Sequence, residues 1–181
     1  MILFSINDKK IWSFTRNGVI IDTSILLEFI NGMIKRQRGS GVVGGEMAEY
    51  QKIVNLLELT RLNDNWDKFY LTPHIMTETC SRVNVEHNRD VDFEDIAKQI
   101  MSIVDKSEEK MVCKKDFLGC IVYRSGMKLE PGDISIYAVA DQFQKDKKKV
   151  AILTKDWGFT NRYAKSPYVM VIDHTQIVDL V

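Results

Sequence analysis

The chain has 181 residues, enough for one domain at roughly 100–200 residues each and cramped for two. With 45% hydrophobic and 28% charged residues, 10 Gly and 3 Pro, it can bury a continuous core, which excludes a disordered or collagen-like polypeptide. Its 25 Lys and Arg cancel 25 Asp and Glu, so there is no global positive field of the kind a nucleic-acid coat protein uses, and any nucleic-acid contact must be local.

Residues 2–6 (ILFSI) and 11–15 (IWSFT) are β-prone runs on either side of the polar turn Asn7-Asp8-Lys9-Lys10. They predict an N-terminal β-hairpin, an extension over 1–17 ahead of a main domain at 18–181. Val19-Ile20-Ile21 is apolar without alternation, as in a strand buried on both faces of a parallel sheet, and it ends at Asp22. Thr23 and Ser24 are capping residue types, and Ile25, Leu26, Phe29, Ile30 and Met33 make one apolar stripe, so a helix follows. The basic stretch Lys35-Arg36-Gln37-Arg38 and the segment Gly39 to Gly45 read as a flexible loop. A helix over about 46–61, a strand at Phe69-Tyr70-Leu71 and a helix opened by Thr72-Pro73 come next; Thr at the N-cap with Pro at the first helical position is a helix-start signature. Residues 93–106 predict an amphipathic helix, and 110–129 a third strand (Met111 to Cys113) with a short helix. Pro131-Gly132-Asp133 opens a further helix that ends at the run Lys145 to Lys149, a solvated helix end set against the dipole. Val150 to Leu153 is another fully apolar strand, followed by a helix near 157–164 and a last strand, Tyr168 to Ile172. Strands alternating with helices give an α/β fold with a central, mostly parallel sheet.

Cys80, Cys113 and Cys120 are odd in number and hold no C-x-x-C pair, so they read as buried free thiols rather than a disulfide framework or zinc site. The first residues lack the pattern of a signal peptide, and no apolar run approaches a membrane span, which predicts a cytoplasmic protein without a membrane partner.

Four acids occupy equivalent topological places. Asp22 ends one strand, Asp156 follows another, and Glu78 and Asp133 lie near helix starts. In a parallel α/β sheet these places share the edge at the carboxyl ends of the strands, where ligands bind. Two carboxylates about 4 Å apart repel by about 4 kcal/mol at an effective dielectric near 20, so such a cluster calls for a counter-ion. All-oxygen donors without His or Cys favour Mg²⁺ or Mn²⁺ over zinc. Taken singly, Asp22 and Asp156 read as helix caps and Asp133 as an ordinary helix-start residue. Glu78, inside a helix, has no capping job.

Val19 to Ser24, Thr72 to Glu78, Gly132 to Ala140 and Ile152 to Phe159 resemble, in order, the four acidic motifs of PIN-domain nucleases, a resemblance that covers about residues 18–173. It implies a three-layer α/β/α fold and a metal-dependent endoribonuclease, with Asp22, Glu78, Asp133 and Asp156 as catalytic residues around Mg²⁺ or Mn²⁺ and RNA as substrate. Toxins of toxin–antitoxin pairs fall within this family, so a protein inhibitor and a homodimer are the further partners implied. The N-terminal hairpin and the long stretch between Asp22 and Glu78 are additions relative to the compact toxins.

Thr23, Ser24 and Thr154 are candidates for hydrogen bonds to the acids or to phosphate, with helix capping the first reading for Ser24. Lys35, Arg36 and Arg38 could track a phosphate backbone, and Lys155 and Arg162 flank the last motif. Asp141 reads as a solvated extra acid. His74, His87 and His174 share no ligand spacing and read as surface or structural, while Trp157 suits a core or a base-stacking role equally. Two alternatives stand beside the ribonuclease: a structure-specific DNA nuclease with the same acids, and a non-catalytic RNA-binding or assembly module.

Overall fold

The structure is a computed structural model that describes residues 8–39, 45–122 and 130–173. Its centre is a five-stranded sheet of β1 (Val19–Ile21), β2 (Phe69–Leu71), β3 (Glu108–Glu109), β4 (Val150–Leu153) and β5 (Val169–Ile172), in the order β3-β2-β1-β4-β5 and parallel throughout. The apolar runs of β1, β2 and β4 are buried at every position, as strands covered on both faces must be. Register is set by Val19 opposite Ala151 and Phe69, and by Ile20 opposite Ile152 and Tyr70.

Helices join the strands: α2 (Thr23–Gln37) and α3 (Gly45–Leu59) before β2, α4 (Pro73–His87) and α5 (Phe93–Lys106) before β3, α6 (Lys114–Val122) and α7 (Pro131–Lys145) before β4, and α8 (Trp157–Tyr163) before β5. Parallel crossovers are right-handed. Those running β1 to β3 and those running back from β3 to β5 therefore lie on opposite faces, consistent with a three-layer α/β/α sandwich. The strand order reverses between β1 and β4, so the carboxyl ends of these two strands flank the switch point where open α/β sheets bind ligands. No helix among the described residues is long and apolar enough to cross a membrane.

Local chemistry explains the joints. Gly18 has φ +118°, and a Cβ there would lie 2.2 Å from the Tyr70 ring, so only glycine makes this entry to β1. Thr72 caps α4, its hydroxyl accepting from the Ile75 N–H at 3.3 Å. Ser135 donates to the Gly132 carbonyl at 2.6 Å, and Ser135 and Thr72 oxygens lie 2.7 Å apart. Since serine has one proton, Thr72 donates to Ser135. This fully buried chain, from Ile75 N–H through Thr72 and Ser135 to Gly132, locks the starts of α4 and α7 together.

The structure corrects several expectations. Residues 11–15, expected as the second strand of a hairpin, belong to helix α1 (Asp8–Thr15); residues 2–6 lie outside the described residues. Phe14 and Thr15 are buried, Ile11 packs on the core and Trp12 is exposed, so helical spacing against β4 and β5 overrides β propensity. The third strand is Glu108–Glu109, not Met111 to Cys113: Glu108 pairs with Tyr70 and Glu109 with Leu71. This charged, exposed edge strand leaves no hydrophobic trace. Lys35 to Gln37 continue α2, and Arg38 is its C-cap rather than part of a loop; residues 40–44 of the expected loop lie outside the described residues. Of the cysteines only Cys120 is buried, whereas Cys80 and Cys113 are exposed.

Candidate functional site

Asp22 follows β1 directly. Its N–H donates to the Leu153 carbonyl at 3.0 Å, continuing the ladder to β4, and its own carbonyl accepts from Leu26 at 3.0 Å, opening α2. Its side chain does not cap that helix. Instead Asp22 Oδ2 accepts from the Thr154 hydroxyl at 2.7 Å and from the Ser24 hydroxyl at 3.0 Å. Ser24 thus orients a carboxylate where capping was expected. Thr154, just past β4, also accepts from the Asp156 N–H at 2.9 Å, so one buried hydroxyl ties the ends of the two central strands together. Burial pushes the Asp22 carboxyl above its ordinary value; the Thr154 and Ser24 hydroxyls pull it back, and the charge of Glu78 adds to the rise.

Glu78 projects from α4. Its Oε2 accepts from the Thr23 hydroxyl at 3.2 Å, and its Oε1 pairs with Arg82, four residues on, at 2.8 Å. Gly132, in the first turn of α7, faces this carboxylate: a Cβ there would lie 2.9 Å from Glu78 Oε2 and 3.8 Å from Thr23 Oγ1. A side chain at 132 would therefore push the Glu78 carboxylate from this position. Asp156 caps α8, accepting from the Gly158 N–H at 2.6 Å, so the capping role foreseen for it is realised.

These groups share one cleft of about 360 Å³, lined by Asp22, Thr23, Ser24, Glu78, Arg82, Glu130, Asp133, Lys155 and Asp156. All four acids singled out in the sequence thus face a common space at the switch point of the sheet. Arg82 and Glu130 were missed. The Glu78-to-Arg82 spacing is a helical i,i+4 pair and was readable; Glu130, before Pro131, occupies a helix N-cap position. Five carboxylates here face two cations, and Lys155 is itself paired with Glu28. Burial holds the Lys155 amine below its ordinary value, opposed by the charges of Asp173 and Asp22.

The donor set is all oxygen, which fits Mg²⁺ or Mn²⁺ in kind, and Gly132 leaves the Glu78 carboxylate in a place that a Cβ would crowd. Among the described residues no three Asp, Glu, His or Cys side chains form a group that could hold one ion. Glu78 is held by Arg82 and Asp156 by the start of its own helix, so both would have to turn from these partners to join Asp22.

The other sequence candidates lie elsewhere. Asp22 and Arg38 stand at opposite ends of α2, about 24 Å apart at 1.5 Å per residue, so Lys35, Arg36 and Arg38 are remote from the cleft. Arg38 grips Asp92 at 2.5 and 2.7 Å and Asp90 at 2.8 Å. His87, bonded to Asp90 at 2.8 Å, and Arg38 hold the Asp90 carboxyl below its usual range. Arg162 pairs with Asp141, which also accepts from the Tyr163 hydroxyl at 2.8 Å, so Asp141 is half-buried and engaged rather than a solvated acid. His74 packs on Phe117, Trp157 is exposed, and His174 lies outside the described residues. No family model matches the chain, and no curated protein matches it.

Proposed function

We propose that the chain is a divalent-metal-dependent nuclease of PIN-like design that hydrolyses RNA phosphodiester bonds. The observation that supports this reading is the gathering of Asp22, Glu78, Asp133 and Asp156 in one cleft at the carboxyl ends of β1 and β4. Asp22, Glu78 and Asp133 would hold the ion, with Asp156 beside them. When bound, Mg²⁺ or Mn²⁺ supplies an activated water and neutralises charge developing on a phosphate.

The chain's own residues prepare this chemistry. Thr154 and Ser24 fix the Asp22 carboxylate in the cleft. Burial makes its ionised form costly, and that cost is relieved when a cation arrives. Thr23 orients Glu78, while Arg82 neutralises Glu78 before an ion does and is available to a phosphate oxygen once released.

Incubation of purified protein with RNA and DNA pools in Mg²⁺, Mn²⁺ or EDTA tests the proposal. RNA cleavage that needs metal and disappears in Asp22→Asn supports it, and the same turnover in Asp22→Asn refutes it. The engagement of Glu78 by Arg82 favours a second reading, a non-catalytic RNA-binding module in which Arg82 and Lys155 meet phosphate directly. RNA binding in EDTA without cleavage in any metal would select that reading.

A further inference from the structure

A second, larger cleft of about 540 Å³ opens between β2, the segment 110–112, α6 and the second half of α7, a size that accepts a nucleotide. One wall is aromatic: Tyr70 and Phe143 have ring centroids 5.3 Å apart, and the Lys110 amine stands 4.4 Å from the Tyr70 centroid. The rim is basic. Because α6 and α7 pack together, with Lys145 3.8 Å from Asp116, the lysines that open α6 (Lys114 and Lys115) come near those that end α7 (Lys145, Lys147 and Lys148). All five are exposed. The lining itself is balanced, Lys110 and Lys148 against Asp116 and Asp146, with the exposed Glu108 and Glu109 beside it. Lys110 pairs with Glu108 and Lys145 with Asp116, so the excess of amines comes from the surrounding Lys114, Lys115, Lys145 and Lys147, which stand outside the lining.

The end of α7 adds an independent sign. Lys148 N–H donates to the Phe143 carbonyl at 2.9 Å and Lys147 N–H to that of Gln144 at 3.1 Å, the bond pair of a Schellman ending, in which glycine is usual at the left-handed position. Lys147 occupies that position, with φ +55°. A lysine stands where backbone geometry favours glycine, beside two more.

We propose that this cleft is a docking site for single-stranded RNA, holding one base against Phe143 while neighbouring phosphates lie on Lys145, Lys147 and Lys148. Amines interleaved with aromatic rings are what single strands require, since bases stack and phosphates pair with cations. The choice of RNA rests on the nuclease reading. Lys145 lies about 18 Å along α7 from Asp133, so a strand seated here can extend toward the acidic cleft.

Anisotropy of a labelled single-stranded oligoribonucleotide, measured in EDTA against salt, tests the site. The triple variant Lys145→Gln, Lys147→Gln, Lys148→Gln is expected to bind about tenfold more weakly and to lower the salt slope by about 2, three lost phosphates at about 0.7 each. Lys147→Gly, which relaxes the turn, should melt higher and yet bind more weakly. Unchanged affinity and slope in the triple variant, or unchanged affinity in Lys147→Gly, overturns the docking site. Cleavage of the same oligoribonucleotide in Mg²⁺ or Mn²⁺, read beside its binding in EDTA, separates the two claims. Metal-dependent cleavage with binding unaffected by the lysines refutes docking alone, whereas lysine-dependent binding with no cleavage supports docking and refutes the nuclease.

Discussion

Replacing Thr72 by Val keeps the shape of the side chain and removes one hydroxyl from a buried chain of three hydrogen bonds. That hydroxyl accepts from Ile75 N–H and donates to Ser135, both groups being fully buried. Loss of an N-cap costs about 1 kcal/mol, and loss of a buried neutral hydrogen bond about 1 kcal/mol more, so Thr72→Val should destabilise the protein by about 2 kcal/mol. For a chain of this size that is about 4–8 °C in Tm. Thr72→Ser retains the hydroxyl and loses only a methyl, about 1 kcal/mol or less. Urea unfolding of wild type, Thr72→Val, Ser135→Ala and the double variant completes a cycle. The double variant should lose about 1 kcal/mol less than the sum of the singles, because the Thr72–Ser135 bond is counted in both. Since the chain joins α4, which carries Glu78, to α7, which carries Asp133, Thr72→Val should also reduce metal-dependent turnover. A loss below about 0.5 kcal/mol, the scatter of ordinary surface changes, together with strict additivity, would refute the coupling of the two helix starts.

Further outcomes follow from the same geometry. Because the folded pKa of Asp22 is raised, the folded state holds an extra proton between the ordinary value of 3.8 and that raised value; the stability due to this group falls as pH rises through that window and levels off above it. Thermal melts in EDTA should therefore show Asp22→Asn gaining on wild type with rising pH, and a pH-independent difference would contradict the burial argument. Gly132→Ala places a Cβ 2.9 Å from Glu78 Oε2. It should lower metal-dependent turnover about tenfold or more, a loss of about 1.4 kcal/mol in transition-state stabilisation, with circular dichroism unchanged; wild-type turnover would contradict it. Arg36→Gln with Arg38→Gln should leave RNA affinity unchanged, since Arg38 is spent on Asp90 and Asp92 at the far end of α2; a marked loss would return the RNA path to that end.

The strands and the acids were legible because their chemistry is local. Val19-Ile20-Ile21 and Val150 to Leu153 are too apolar for an exposed face, and topology then brings Asp22 and Asp156 to one edge. What escaped reading depends on tertiary context. IWSFT is helical because Phe14 and Thr15 reach the core from a helix, against their β preference. Glu108–Glu109 pairs as an edge strand with no apolar residue to announce it. The roles of the basic residues turn on partners far away in sequence: Arg38 on Asp92, Lys155 on Glu28, Arg162 on Asp141. Two omissions in the cleft differ in kind, since Arg82 sits at a readable helical spacing from Glu78, whereas Glu130 is brought in only by the packing of α7 on α4.

The central claim is that the cleft acids act together on one hard cation, and calorimetric titration of Mn²⁺ into metal-free protein tests it most directly. Wild type should bind saturably and gain stability by mass action, about 2.7 kcal/mol at a hundredfold excess over Kd, with both effects strongly reduced in Asp22→Asn and in Glu78→Gln. No saturable heat in wild type, or the same heat in all three proteins, would contradict the claim and leave the acids as separate helix-start residues.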